Sequence, residues 1–196
     1  LNGPIGKDGK TSFNLGIRRS WLDVVTTPAL AIILQRQNKL ENDDPDSQYT
    51  YNTKSNFHYA FWDSNLKITH KFSEDNRLSF NFYMGRDAFP AKVREESTEK
   101  AETRNHDVDA YKINIEWGNI LASLDWQRRF SEALSMQTTL YYSGYRGIAG
   151  AEVTTDYNDV ENGIVENRFS LNSYSNHSKV DDFGLRSDLM WRPLDE

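Results

Sequence analysis

The sequence contains no cysteine, which excludes disulfide bonds and thiolate metal sites. Only 37% of its 196 residues are hydrophobic, and its mean hydropathy is −0.75. Its longest apolar run covers residues 29–34, whereas a membrane-spanning helix needs about 18 apolar residues. The net charge is −6 and no basic segment stands out, which argues against a nucleic-acid partner.

Aromatic residues, by contrast, are abundant: five Trp, ten Tyr and ten Phe make up 13% of the chain. Disordered chains are poor in aromatic residues, so we expect this chain to fold. Many aromatics within a low hydrophobic content are typical of β-strands that have one apolar face. Since no helix could cross a membrane, a membrane protein of this composition would have to be a β-barrel.

Two segments have the alternation of polar and apolar residues that predicts a β-hairpin. Residues 63–72 and 77–84 alternate on either side of a short turn, and residues 120–130 and 134–142 do the same. The tripeptide Phe-Ser-Glu occurs at 72–74 and again at 130–132, an offset of 58 residues. Two hairpins of one design indicate a repeating up-and-down antiparallel sheet.

The rest of the chain fits seven or eight strands joined by unequal links. Strands are predicted at 11–18 and 182–192, with a weaker one that ends near Tyr174, and helix is confined to 29–37 at most. The predicted long, polar links cover residues 26–56, 88–109 and 146–166. Short turns at one rim and long loops at the other are typical of outer-membrane barrels, as is a girdle of aromatics near the strand ends. The girdle candidates are Trp21, Trp62, Phe72, Phe130 and Tyr145.

Several segments resemble strands of TonB-dependent outer-membrane receptors. Residues 3–13 (Gly-Pro-Ile-Gly-Lys-Asp-Gly-Lys-Thr-Ser-Phe) and 16–23 resemble the first barrel strand of that family. Residues 61–73 resemble the next strand with its periplasmic turn, and residues 77–87 resemble the returning strand. Residues 117–126, followed by Phe130 and Ser131, resemble a further strand.

The resemblance implies an all-β fold, an antiparallel up-and-down transmembrane β-barrel segment with about 7–8 strands of a larger barrel of about 22. Residues 1–196 would then be a partial barrel domain in the outer membrane of a Gram-negative cell. The implied function is active uptake of a nutrient of the siderophore, cobalamin, glycan or peptide class. The implied partners are outer-membrane lipid, the plug domain and remaining barrel strands of a longer parent chain, and the TonB energising complex. The sequence leaves open whether a surface lipoprotein caps the pore.

Two sets of residues are candidates for this function. Polar residues of the alternating strands are expected to face the lumen, where they could grip the plug or merely pair with one another: Asp63, Asn65, Lys67, Lys71, Asp125, Arg129, Asp182, Arg186 and Asp188. Aromatic residues of the predicted extracellular loops are expected to contact a sugar or ring-bearing ligand, or else to pack the loops together: Tyr49, Tyr51, Tyr59, Phe89 and Tyr157.

No enzyme is predicted. The carboxylates within 41–46 and 156–161 could bind calcium, but they lack the spacing of an EF-hand, so we expect solvated acidic loops. The four histidines are scattered, and no nucleophile or phosphate-binding motif occurs. We therefore assign no catalytic residue, no metal ligand and no cofactor.

Two other interpretations stay open at this point. About eight strands can close into a small barrel, so the chain could be a complete outer-membrane anchor or adhesin. The chain could also be a soluble β-sandwich that binds a ligand. That sandwich would bury Leu66, Phe80, Leu124 and Leu140 against a second sheet of the same chain.

Overall fold

The computed structural model describes residues 1–100, 105–161 and 164–192, which form one antiparallel sheet and one helix. The elements in chain order are β1 (Asn2–Ile5), β2 (Thr11–Arg19), α1 (Leu22–Asn42), β3 (Tyr49–Phe57), β4 (Ala60–Ser73), β5 (Asn76–Glu99), β6 (His106–Arg129), β7 (Leu134–Glu161) and β8 (Ile164–Trp191). No helix in the described ranges is both long enough and apolar enough to cross a membrane.

The strands follow one another across the sheet in the order β1-β2-β4-β5-β6-β7-β8, and β3 pairs with β5 beside the end of β4. β3 and β4 have the same register on β5, because Phe57 lies opposite Ala91 and Ala60 lies opposite Ala88. They are therefore two parts of one long strand that is interrupted at His58 and Tyr59. In the described residues β1 and β8 are the two edges, and the sheet is not closed.

The predicted all-β, up-and-down antiparallel architecture is confirmed. The first hairpin is β4–β5, in which Leu66 lies opposite Phe82, and the second is β6–β7, in which Leu124 lies opposite Leu140. The predicted strand at 11–18 is β2. Alternation identified these strands correctly because most of their apolar residues lie on one face, where pairs such as Ile68 and Phe80 meet.

The predicted long loops are wrong. Residues 88–99 and 106–109 lie in β5 and β6, and the link at 146–166 lies in β7 and β8 except for two residues outside the described ranges. The third link holds α1 and β3, and α1 is longer than the segment 29–37. The predicted strands near Tyr174 and at 182–192 are parts of the single strand β8. The strands continue because alternation continues: Phe89, Ala91 and Val93 alternate with polar or charged neighbours.

Because the registers of β5–β6, β6–β7 and β7–β8 are constant along their whole length, every second residue stays on the same face. We call face 1 the face with the cross-strand row Phe13, Ile68, Phe80, Leu124, Leu140 and Leu185. The opposite face is face 2.

Neither face is covered by a second layer of described residues. Leu124 is 42% exposed and Leu140 is 53% exposed, and Ala91 is the only buried hydrophobic residue described. The β-sandwich interpretation required Leu124 and Leu140 to be buried against a second sheet of the chain. The described part of the chain holds a single sheet, so that requirement is not met.

The helix α1 lies beside the edge of β3, at the place in the sheet where a continuation of β2 would lie. The Asn38 side chain donates a hydrogen bond to the Thr53 carbonyl at 2.8 Å and accepts one from the Thr53 N–H at 3.0 Å. Asn42 makes the same two bonds to Tyr51, at 2.8 and 2.7 Å. Asn38 and Asn42 are four residues apart in the helix, a rise of about 6 Å, and Thr53 and Tyr51 are two residues apart in the strand, about 6.8 Å. The two spacings are similar, so the two asparagine side chains can each reach one of two alternate strand residues. The helix thus satisfies backbone groups that an edge strand would leave open.

Candidate functional site

The apolar surface of the sheet changes from one face to the other along the strands. Between the hairpin turns and Met84, face 1 is mainly apolar, and face 2 is mainly polar, with exceptions such as Tyr83, Leu121 and Tyr141. We call the next row of face 1 the boundary row; it consists of Arg19, Trp62, Arg86, Gly118, Arg146 and Lys179. The strands beyond this row, together with β3, are called the extension.

In the extension, face 2 is the apolar face. Its aromatic and aliphatic residues include Phe57, Tyr59, Phe61, Phe89, Ala91, Val93, Tyr111, Ile113, Ile115, Trp117, Ala149, Ala151, Val153 and Tyr174. The rings of Phe57 and Phe89 lie 6.4 Å apart, and those of Tyr59 and Phe61 lie 6.3 Å apart. Face 1 of the extension carries charged residues instead, such as Lys92 beside Lys112. No register shift accompanies the change, so the side chains alternate regularly throughout.

The nine residues predicted to face a lumen share face 2 of the strands between the turns and the boundary row. The cross-strand pairs place Asn65, Lys67 and Lys71 in the same alternating set as Asp63. Asp125 and Arg129 belong to that set on β6, and the register of β7 and β8 adds Asp182, Arg186 and Asp188. Their common face is thus established, whereas the lumen that this face would line stays a prediction.

Several of these polar residues pair with one another. Arg18 donates two hydrogen bonds to one oxygen of Asp63, at 2.8 and 2.6 Å, and Asp63 is only 8% exposed. Asp125 accepts hydrogen bonds from Asn81 at 2.5 Å and from Thr139 at 2.7 Å. Arg186 pairs with Asp188 two residues away at 2.8 Å. Much of the charge on this face is therefore compensated within the sheet.

The five aromatic residues predicted as ligand contacts also share face 2, but four of them do not lie in loops. Tyr49 and Tyr51 lie in β3, Phe89 in β5 and Tyr157 in β7, while Tyr59 lies in the interruption between β3 and β4. The loop placement is wrong for the four residues through which the strands extend. The contact with a ligand stays a prediction.

These five residues fall into two groups. Tyr59 and Phe89 lie close to the boundary row, whereas Tyr51 and Tyr157 share a row eight residues farther along β5. Eight strand residues span about 27 Å, so one small ligand cannot contact both groups. At the far end Tyr49 and Tyr51 have ring centroids 6.3 Å apart, and the Arg168 guanidinium lies 5.2 Å from the Tyr157 ring centre.

Two tyrosines of face 2 are influenced by carboxylates. The hydroxyl of Tyr59 donates a hydrogen bond to Asp87 at 2.9 Å, and this bond is the main reason why the pKa of Tyr59 is raised. The pKa of Tyr111 is also raised, chiefly by the charge of Asp109 and then by partial burial and Glu95. These carboxylates therefore give the aromatic surface around Tyr59 and Tyr111 a negative electrostatic potential.

Phe57, Tyr111 and Tyr174 were not predicted to belong to an aromatic surface. Phe57 and Tyr111 lie just outside the predicted links at 26–56 and 88–109, and Tyr174 lies at the end of a weakly predicted strand. The signal was present as a second alternation: Phe89, Ala91 and Val93 follow one another at every second position. That series is out of phase with the series that ends at Met84, which concealed it.

No described residues form a group of three or more His, Cys, Asp or Glu side chains that could hold a metal ion. Residues 156–160 of the second acidic segment lie in β7 with alternating faces, which separates their side chains. The first acidic segment includes the end of α1 and the residues after it.

Comparisons of the chain with protein-family models, with curated proteins and with solved structures found no match. The function therefore has to be inferred from the sequence and the geometry of the chain itself.

Proposed function

We propose that the chain is part of the wall of a TonB-dependent outer-membrane transporter, which takes up a nutrient of the siderophore, cobalamin, glycan or peptide class. In this proposal face 1 contacts lipid between the turns and the boundary row. Face 2 lines the lumen, and its aromatic extension forms the inner wall of the extracellular mouth. The plug, the other strands and the TonB contact would be supplied by the rest of the parent protein.

The change of apolar face at the boundary row is the observation that carries the proposal. A lipid-facing surface has to be apolar only over the thickness of the hydrocarbon core, and beyond it the outer surface meets water. Face 1 follows this rule: it carries Phe82 and Met84 before the boundary row and Lys92 and Arg94 after it. An uncovered apolar face in water would instead invite association.

The polar residues that limit the apolar part of face 1 lie about one hydrocarbon-core thickness apart. The first turn is centred near Glu74 and the second on Glu132. When the β5–β6 register is extended by two residues, Glu74 lies opposite Phe130, which is two residues short of the centre of the second turn. If both turns lie at one level, this stagger of two residues over two strand spacings gives a tilt of about 35°. Ten residues separate Asn76 from Arg86, or about 34 Å along the strand and about 28 Å across a membrane at that tilt. Lipid-facing barrel bands are about 25 Å tall with strands tilted by about 35–45°.

Aromatic residues on face 1 lie near both limits of this band. Trp62 belongs to the boundary row, and Trp126 and Trp191 lie toward the turns. Phe72 stacks edge-on against His70 of the same face, with ring centroids 4.6 Å apart. Tyr145, a predicted girdle residue, lies on face 2 opposite Val180, so it would face the lumen instead. Amphipathic rings at the two limits are favoured at membrane interfaces.

The first test is the location of the intact parent protein. Cells are fractionated, the chain is detected with an antibody against this segment, and gel migration is compared with and without boiling. We expect an outer-membrane band several-fold heavier than 22.7 kDa that shifts on boiling. A band in the soluble fraction that does not shift would contradict the proposal.

The second test exploits the absence of cysteine. Single cysteines are introduced along β6 and labelled with an environment-sensitive dye, and quenching by brominated lipid is measured. We expect quenching at positions 120, 122 and 124 but not at 121, 123 and 125. Positions 110 and 112, on the same face beyond the boundary row, are expected to show none. Quenching that continues into the extension would refute the assignment of the boundary.

A further inference from the structure

A cluster of four cations lies on face 1 of the extension. Lys54 lies directly opposite Arg94, and Lys92 lies directly opposite Lys112. Lys92 and Arg94 are neighbours on the same face of β5, so the two pairs adjoin. We call Lys54, Lys92, Arg94 and Lys112 the cation cluster.

The cation cluster is not explained by pairing within the sheet. Like charges directly opposite each other destabilise a sheet, and the chain as a whole has a net charge of −6. In the described part of the chain, two carboxylates pair with the four cations: Glu96 with Arg94 at 2.7 Å, and Glu152 with Lys112 at 3.0 Å. Among the described residues Lys54 and Lys92 have no ion-pair partner. The cluster therefore has an excess of two positive charges.

The surface around the cation cluster is concave. The four cations and the residues between them line a depression of about 380 Å³. Asn56 and Thr154 lie in the same depression and add neutral hydrogen-bond donors. The Arg94 side chain is 56% exposed and the Lys112 side chain is 52% exposed, so both are accessible to an anion from outside the sheet.

The neighbouring carboxylates are already engaged. Glu96 accepts hydrogen bonds from Arg94 at 2.8 Å and from Asn52 at 2.9 Å. The pKa of Glu96 is lowered, chiefly by the bond from Arg94 and further by Asn52 and by the charges of Arg94 and Lys54. Glu96 therefore stays ionised in the neutral range but leaves Lys54 and Lys92 to attract a further anion.

The position of the cluster relative to the proposed membrane selects the kind of anion. Lys92 lies six residues beyond Arg86, or about 17 Å above the boundary row at the tilt derived above. The headgroup layer of a bilayer extends only about 5–8 Å beyond the hydrocarbon core. A phospholipid phosphate would therefore lie below the cluster, whereas a phosphate on a saccharide that extends from the membrane would reach it.

We propose that the cation cluster binds phosphate groups on the saccharide headgroup of an outer-leaflet glycolipid. This inference rests on the proposed function, because it requires face 1 to border the outer leaflet. Arg94 supplies a planar donor group that suits phosphate oxygens, and the three lysines add point charges. The glycolipid would thereby be held against the outside of the wall, away from the transport path on face 2.

The test uses the intact parent protein in detergent, titrated with rough-type lipopolysaccharide that either retains its saccharide phosphates or has lost them to a phosphatase. The test variant is Lys92→Gln/Lys112→Gln. The control variant is Lys7→Gln/Lys39→Gln, which changes the net charge equally at two exposed positions. We expect the test variant to bind the phosphorylated lipid about 30-fold more weakly than wild type, and the control to be unchanged.

Three results would overturn the inference: equal binding of both lipids by wild type, wild-type affinity in the test variant, or an equal loss in the control. Complete competition by an equimolar amount of inorganic phosphate would also overturn it, because the site would then take free phosphate. Membrane insertion is measured in parallel by the migration shift on boiling. If wild type does not insert, the proposed function fails. If it inserts but does not distinguish the two lipids, only the glycolipid site fails.

Discussion

The contact between α1 and β3 gives a prediction that is independent of any membrane. Asn38 makes two hydrogen bonds to the backbone of Thr53, and both are partly buried. In an antiparallel strand, backbone groups point alternately to the two sides. The N–H of Thr53 points to the helix, so those of Asn52 and Lys54 point to β5. Asn38→Ala should therefore expose the Thr53 amide and spare its neighbours.

The size of the expected change in exchange rate follows from the two hydrogen bonds that Asn38→Ala removes. Each is worth about 0.5–1.5 kcal/mol net, so their loss costs about 1–3 kcal/mol. Alanine is the better helix former by about 0.5 kcal/mol, which offsets part of this cost. The remaining 0.5–2.5 kcal/mol or so corresponds to an increase of about 2- to 70-fold in the exchange rate of the Thr53 amide. Asn42→Ala should have a smaller effect at Tyr51, since its bonds are exposed.

The assay is hydrogen exchange of the intact protein, resolved to single amides by fragmentation in the mass spectrometer. Gln37→Ala is the matched control, because the partner of the Gln37 amide among the described residues is Glu41 of the same helix, at 3.0 Å. An unchanged Thr53 amide in Asn38→Ala would refute the reasoning. An equal acceleration of Asn52 and Lys54 would also refute it, because it would mean that β3 as a whole had come loose.

Two further predictions concern single contacts. A Cβ atom at Gly118 would lie 3.0 Å from the backbone carbonyl oxygen of Gly85 on the neighbouring strand, which cannot turn aside as a side chain can, so Gly118→Ala should destabilise the protein by about 1–3 kcal/mol in urea unfolding. Gly150→Ala is the control, because its nearest atoms lie 3.5 Å away, and it should change stability by less than about 0.5 kcal/mol. Asp87→Asn should lower the pKa of Tyr59 toward its ordinary value, measured by ultraviolet titration against a Tyr59→Phe blank. The raised pKa favours the protonated phenol, so this contact stabilises the fold below the ordinary tyrosine range and is lost as the pH rises through the raised pKa.

The hairpins could be predicted from the sequence because their signal is local. The alternation through Leu66 and Phe82 fixes both the strand period and the face, and a short turn fixes the pairing. The common face of the nine polar candidates follows from the same period. The length of β5 was missed because Lys92, Arg94 and Glu96 look like a solvated loop when the apolar residues between them are overlooked.

The helix was underestimated for a different reason. Its first turns contain the β-branched Val24 and Val25 and then Pro28, which have low helix propensity. Its position beside β3 depends on Asn38 and Asn42 meeting the backbone of a strand that is distant in sequence. No local pattern identifies such a pair of asparagines as edge-binding residues.

The change of apolar face is the feature that sequence and structure explain only together. In β5 the apolar series of every second residue ends at Met84 and starts again five residues later at Phe89. In β6 the face 1 series ends at Ile120, and the face 2 series begins three residues away at Trp117 and continues to Ile115, which lies opposite Phe89. An odd spacing moves the apolar set to the opposite face, and the constant register excludes a bulge as the cause. The surroundings of each face must therefore differ on the two sides of one line across the sheet. In a soluble protein, one layer of residues would have to cover face 1 at one end of the strands, and a second layer would have to cover face 2 at the other end. The described residues contain neither layer. In the proposed function, a bilayer of finite thickness accounts for the change on face 1, because that face would pass from lipid to water at one level.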